Sequence, residues 1–202
     1  MNRLRRGAPL ALIISFLLLS TESRAGEIKG QVSAAGSLST ESVVVYLDAI
    51  PGKTFDAPTK HAIMDQRHLK FIPQVLVVLQ GTTVDFLNSD STLHNVFWPD
   101  IGGNKKLAAN LGTWPQGQKK SFTFNNPGAI TLLCNVHPEM SGYVVVVTNP
   151  YFGVTNKEGA FEIKNVPAGH YTLKTWSEEG KPLTQAVDVS DAATTVDLTI
   201  RR

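Results

Sequence analysis

Apolar positions along the chain fall into two regimes. Between Pro9 and Leu19 they are nearly continuous, reading PLALIISFLLL; beyond residue 26 they come in short runs broken by Gly, Pro, Asn and Asp. The short runs are rich in Val, Ile, Thr and aromatic residues, which suits strands better than helices. They predict strands over Glu27–Val32, Val43–Ala49, Gln74–Leu79, Thr83–Leu87, Lys119–Phe124 and Ala129–Cys134. Further strands are predicted over Tyr143–Thr148, Ala160–Lys164, Tyr171–Trp176, Leu183–Val189 and Thr194–Ile200. Val144–Val147 is an unbroken apolar run, as expected of a strand buried on both faces, whereas Phe161 and Ile163 alternate with Glu162 and Lys164, as on a half-exposed one. Asn104–Asn110 is the one stretch that reads as a short helix. Many short strands at this spacing argue for an all-β fold built from sandwiches or barrels.

A length of 202 residues allows one large domain or two small ones. The first apolar regime reads as an export address. Arg3, Arg5 and Arg6 precede it, and Ser23-Arg24-Ala25 offers small residues for a peptidase, so residues 1–25 are expected to be a signal peptide cleaved after Ala25. An uncleaved anchor is the alternative, but the apolar core is short for a membrane span. The Arg5-Arg6 pair lacks the flanks of a twin-arginine signal, which favours the general export route.

This segment changes the charge balance. The whole chain carries +2, but without residues 1–25 it holds 15 basic and 16 acidic side chains, a balance of −1. No basic stripe remains to argue for nucleic-acid binding. With 42% hydrophobic and 18% charged residues the full chain is ordinary globular material. No later apolar run reaches membrane length, so a soluble periplasmic protein without a membrane span is expected.

The chain contains one cysteine, which rules out an internal disulfide and four-cysteine metal sites. In an oxidising compartment a free thiol is a liability, so it must be buried, paired between chains or bound to something. It lies in Cys134-Asn135-Val136-His137-Pro138-Glu139-Met140, where thiol, imidazole and thioether recur every third residue. A Cys at a strand end, with His and Met on the following loop, can aim all three donors at one point. Thiolate and thioether are soft ligands that suit copper(I), and imidazole suits both copper states. Two His and one Cys with a weak axial Met make a copper electron-transfer site. The second His would come from elsewhere, and His94, 40 residues upstream of the Cys after a strand and a polar loop, is the natural candidate. Cys134 as an inert core cysteine is the bland alternative. Zinc is another, with Glu139 the nearby carboxylate that keeps it open.

Residues His61 to Thr148 resemble a cupredoxin, the blue-copper family that includes plastocyanin, pseudoazurin and amicyanin. The G-T-T-V-x-F-x-N stretch from Gly81 to Asn88, the His94-Asn95 pair and the Cys-x-x-His-x-x-Met loop stand in the family's order. The two-residue gap between His137 and Met140 is similar to the short loop of amicyanin. The resemblance implies one type 1 copper held by His94, Cys134, His137 and Met140. It also implies that Asn95 ties the two ligand loops and tunes the sulfur, and that His137 is the solvent-facing edge where electrons pass. Phe97, Trp98 and Pro99 are either core or an apolar rim for a redox partner, and Pro138 is a further rim candidate. His61, Met64 and His68 could be imagined as a second copper patch; ordinary strand or loop histidines are the simpler reading.

Tyr151 to Ile200 resembles the carboxypeptidase-regulatory-like, or transthyretin-like, sandwich through Val154 to Ile163 and Val166 to Leu173. Such domains begin with I-x-G-x-V and V-x-V-x-L strands, and Ile28–Val32 and Val43–Leu47 fit those two. We therefore expect residues 26–50 and 151–202 to form one sandwich, with a cupredoxin Greek-key sandwich over 51–150 inserted in it. A tandem arrangement is the competitor. If Ile28–Val32 paired only within the copper module, insertion would be wrong.

Counting narrows the chemistry. A binuclear copper centre needs two bridging cysteines; multicopper oxidases and copper nitrite reductases need further His ligands, and the trinuclear type places His on both sides of the Cys, where this chain, with five His in all, has Leu133 and Asn135. A Cys–His hydrolase has no role for a Met three residues past the His. The expected protein is not an enzyme but a monomeric carrier of single electrons between redox partner proteins. The alternative is a copper carrier, store or structural binding protein without that role.

Overall fold

The computed structural model describes residues 25–202. The expected signal peptide therefore lies outside the described residues, apart from Ala25. In chain order the strands are β1 (Gly26–Ala34), β2 (Val44–Leu47), β3 (Ala62–Gln66), β4 (Phe71–Ile72), β5 (Val75–Leu79) and β6 (Thr82–Asn88). They continue as β7 (His94–Trp98), β8 (Ala109–Trp114), β9 (Lys119–Phe124), β10 (Gly128–Leu133) and β11 (Ser141–Val147). The last are β12 (Phe152–Val154), β13 (Ala160–Val166), β14 (Gly169–Trp176), β15 (Thr184–Val189) and β16 (Ala193–Ile200). The protein is all-β. The helix expected over Asn104–Asn110 reduces to one 3-10 turn, Lys105–Leu107. Asn104 caps that turn by accepting the Lys106 N–H at 3.1 Å, and the chain enters β8 at Ala109.

Four sheets make two sandwiches. In the first, the five-stranded sheet β5-β11-β10-β7-β8 faces the four-stranded sheet β4-β3-β6-β9. Between them lies an aromatic core in which Phe86, Trp98, Phe122 and Phe124 meet ring to ring. In the second, β13-β1-β16 faces β12-β2-β14-β15. Its core holds Ile28, Val43, Val45, Leu47, Phe161, Ile163, Leu173 and Leu198.

The opening strands belong to this second sandwich. β1 pairs antiparallel with β13, Ile28 opposite Ile163, and parallel with β16, Gly30 beside Val196. β2 sits between β12 and β14, with Val45 opposite both Gly153 and Thr175. Gly30 is required by close approach, since a Cβ there would fall 1.7 Å from the Val196 carbonyl oxygen.

The Val144–Val147 run does what its pattern predicts. Side chains alternate along a strand, so Val144 and Val146 enter the first core. Val145 and Val147 face the other way, against Val44 of β2, with Tyr46, Phe152 and Trp176 packed around them. β11 thus forms the centre of the seam between the sandwiches, with Val75 and Val77 of β5 and Ala129 of β10 beside it. Tyr143 on β11 adds a tilted ring contact with Trp176, centroids 5.1 Å apart. Its hydroxyl donates to Glu178 at 2.5 Å. Burial, then the Glu178 carboxylate, pushes the Tyr143 phenol well above its usual range. Where the chain crosses back, buried Asn149 donates to the Leu47 and Asp48 carbonyls at 2.9 and 3.0 Å and ties the two crossings together.

Candidate metal centre

The centre is built where two strand ends meet. β7 begins at His94, and Cys134 follows the last residue of β10. β7 and β10 are antiparallel neighbours, Phe97 opposite Leu133, so the start of one lies beside the end of the other. That pairing removes the sequence distance between His94 and Cys134. The Cys loop then turns back on itself: the Met140 N–H donates to the His137 carbonyl at 3.0 Å, just before β11 starts.

The donors converge. His94 Nδ1 lies 3.9 Å from Cys134 Sγ and 3.1 Å from His137 Nδ1. One donor atom from each of His94, Cys134 and His137 lies within 4.8 Å of the others. His94 and Cys134 are buried and His137 is half-buried. Met140 is buried in the same core cluster as Cys134, one loop turn from His137. Glu139, the carboxylate a zinc site could use, is exposed and outside the group. A thiol and two imidazoles gathered in a buried pocket, with a thioether on the same loop, fit copper by the softness of the set.

A polar shell holds these donors. The Asn95 backbone N–H donates to Cys134 Sγ at 3.4 Å, and Asn95 Oδ1 accepts the Asn135 N–H at 3.3 Å. The Asn95 amide nitrogen donates to Asn110 Oδ1 and the Gly112 carbonyl, both at 2.8 Å. One residue thereby binds β7, β8 and the Cys loop. On the far side of the His94 ring, Nε2 lies 2.9 Å from Asp90 Oδ2. The Asp90 N–H in turn donates to Asn88 Oδ1 at 2.9 Å. Sequence reasoning missed Asp90 and Asn88. The available signal was the polar run Asn88–Thr92, separated from His94 by Leu93 alone, with Asp90 four residues before the histidine.

The other candidates disperse. Trp98 is 1% exposed and its Nε1–H donates to the Leu107 carbonyl at 3.0 Å, so it is core and presents no rim to a partner. Phe97 is half-buried, while Pro99 and Pro138 are exposed. The apolar surface at this end comes instead from Leu69, Leu93 and Val136, at 43%, 50% and 42% exposure. His61, Met64 and His68 do not form a patch. Met64 points into the core, His61 Nδ1 pairs with Asp85 at 2.9 Å, and His68 lies in an exposed turn. His170 pairs with Asp188 on the surface of the second sandwich.

Comparison with known proteins finds similarity over parts of the chain. Residues 59–147 match the profile of the copper binding proteins of the plastocyanin/azurin family. Residues 140–197 match a profile described as polysaccharide lyase family 4, domain II. Amicyanin from Paracoccus versutus is 26% identical over 116 residues, covering 57% of this chain and 86% of the relative. Among solved structures, a reduced Cu(I) form of an amicyanin variant is 27% identical, with a TM-score of 0.40, covering 48% of this chain and 96% of that one. A purple cupredoxin from Nitrosopumilus maritimus is 26% identical, with a TM-score of 0.38, covering 42% of this chain and 98% of that one. Residues 59–147 thus resemble the plastocyanin/azurin family in sequence and have a cupredoxin fold, joined to a further β domain.

Proposed function

We propose that the mature chain is an exported mononuclear type 1 copper protein that passes single electrons between partner proteins. The observation that carries this reading is the convergence of Cys134, His94 and His137 within 4.8 Å inside a cupredoxin domain. Cys134 would supply the thiolate, His94 and His137 the two imidazoles, and Met140 the weak axial thioether. When bound, copper supplies a Cu(II)/Cu(I) couple whose potential follows the axial ligand and the hydrogen bonding of the Cys sulfur.

The chain's own residues supply the rest. The Asn95 N–H draws charge from the Cys134 sulfur, and the Asn95 side chain keeps the Cys loop in register with β7. Burial of His94, Cys134 and Met140 excludes water and fixes the donors before any metal arrives. His137, half-buried between exposed Val136 and Pro138, is the edge through which an electron enters or leaves. Leu69, Leu93 and Val136 give that end an apolar surface suited to a transient partner.

The domain plan we infer is one sandwich from 26–50 and 151–202, interrupted by the cupredoxin domain at 51–150. The pairing of β1 with β13 and β16 supports it. The carboxypeptidase-regulatory-like identity of that sandwich rests on the Ile28–Val32 and Val43–Leu47 strand motifs. Export rests on the basic, apolar and small-residue succession of residues 1–25. Among the described residues no helix is long and apolar enough to cross a membrane. We read the mature protein as a periplasmic monomer that does no substrate chemistry.

Titration of the metal-free protein with copper(II) tests the reading. It should take up one copper per chain and then accept and return one electron reversibly. A complex that cannot be cycled between oxidation states contradicts a carrier role.

A further inference from the structure

We propose that Asp90 is a positioning residue of the metal centre. Its carboxylate selects the His94 nitrogen that faces the other donors and ties that ring to the tip of the β3–β4 hairpin. The proposal rests on the copper reading above and extends it to a residue outside the ligand set.

The first half follows from the hydrogen bond. A carboxylate only accepts. Asp90 Oδ2, 2.9 Å from His94 Nε2, therefore places the ring proton on Nε2. Nδ1 is left with its lone pair, on the side where Cys134 Sγ and His137 Nδ1 lie. The His94 ring is fully buried, so water does not compete for either nitrogen. The tautomer needed for metal binding is thus set in the folded chain itself. The same carboxylate puts a negative charge behind the ring, which favours the more highly charged state of a bound metal.

The second half follows from what else Asp90 holds. Oδ1 accepts the His68 N–H at 2.7 Å, and Oδ2 also accepts the Leu69 N–H at 3.0 Å. His68 and Leu69 are the two residues of the tight turn between β3 and β4, closed by Arg67 and Lys70, which bond each other at 3.0 and 3.2 Å. Both have left-handed backbones, φ 57° and 56°. That conformation costs a non-glycine residue about 1–2 kcal/mol. The turn carries no glycine, so acceptors from outside the hairpin must hold it. Asp90 is braced by Asn88, whose amide donates to the Thr92 and Trp114 carbonyls at 2.8 and 3.0 Å. An unbroken series of hydrogen bonds therefore runs from the exposed hairpin tip to a ligand ring. Contact of a partner with Leu69 bears directly on the anchor of His94.

The test uses the full mature chain. In metal-free wild type, nitrogen-15 NMR of the histidine rings should show His94 protonated at Nε2; protonation at Nδ1 overturns the proposal without any variant. Asp90→Asn keeps the shape, but its amide nitrogen cannot accept. Amide exchange at His68 and Leu69 should accelerate at least tenfold, and the copper(II) dissociation constant should rise by about 10- to 100-fold. Copper(I) affinity should change less, so the midpoint potential rises by 59 mV for each tenfold difference between the two states. Faster exchange with unchanged tautomer, copper(II) affinity and potential would make Asp90 a hairpin clamp alone and overturn its role at the centre. If wild type fails to cycle copper, the carrier reading falls, yet the tautomer and exchange measurements still decide this proposal.

Discussion

The backbone N–H of Asn95 points at the Cys134 sulfur from 3.4 Å, across the pairing of β7 with β10. The two residues are 39 positions apart in sequence, and a strand register brings them together. An N–H aimed at a thiolate stabilises its charge, and as a backbone group it survives replacement of the side chain. The Asn95 side chain acts separately, by holding the Cys loop and β8.

Asn95→Ala should therefore loosen the loop without removing the donor to sulfur. Three side-chain hydrogen bonds in a nearly buried setting are lost, two given and one received. Denaturant unfolding should show a cost of about 2–3 kcal/mol. A loss below a few tenths would mean that the side chain ties nothing.

Met140→Leu replaces one buried apolar side chain by another of similar volume. Folding should cost less than about 1.5 kcal/mol. Loss of the thioether should change the potential of the copper complex, because the axial ligand tunes it. Voltammetry of the two proteins decides this, and an unchanged potential removes Met140 from the ligand set.

Asp85 should give the fold an acid-sensitive component. The Lys119 ammonium at 2.5 Å, then the Ser121 hydroxyl at 2.6 Å, hold its carboxyl far below the usual range, with His61 a further partner. A depressed native value means that the unfolded chain binds the proton first. The contribution is thus complete above about pH 4 and is lost as pH falls toward the native value. In unfolding measurements from pH 5 to 2, the stability gap between wild type and Asp85→Asn should narrow as the pH drops. A gap that stays constant rules out this linkage.

Trp176→Ala tests the seam between the sandwiches. The ring lies half-buried against Tyr143 and beside Val145 and Val147. Its removal should cost about 2 kcal/mol of stability and leave copper absorption unchanged. Calorimetry should show the two sandwiches melting further apart, whereas an unshifted single transition would show that the seam does not couple them.

Legibility in the sequence followed locality. Lys119–Phe124 carries enough alternation to be placed with its observed bounds. β8, reading ANLGTW, was invisible because small and polar residues and a left-handed Gly112 give no strand signal; it is a strand because β7 pairs with it. β3, reading AIMDQ, gives little strand signal because its burial does not follow polarity: Ile63 is exposed while Met64 and Gln66 point inward. On the Cys loop the spacing Cys134, His137, Met140 is itself the signal. For Asp90 only the i,i+4 spacing to His94 lies in the sequence; its ties to His68 and Leu69, more than 20 residues away, come from the fold alone.

The most direct measurement is the visible absorption spectrum of the copper-loaded mature protein beside Cys134→Ser. The wild type should show an intense blue thiolate-to-copper band, and the variant should lose it. Copper uptake by the wild type with no such band, or a band that survives Cys134→Ser, would contradict the assignment of Cys134 as the ligand on which the function rests.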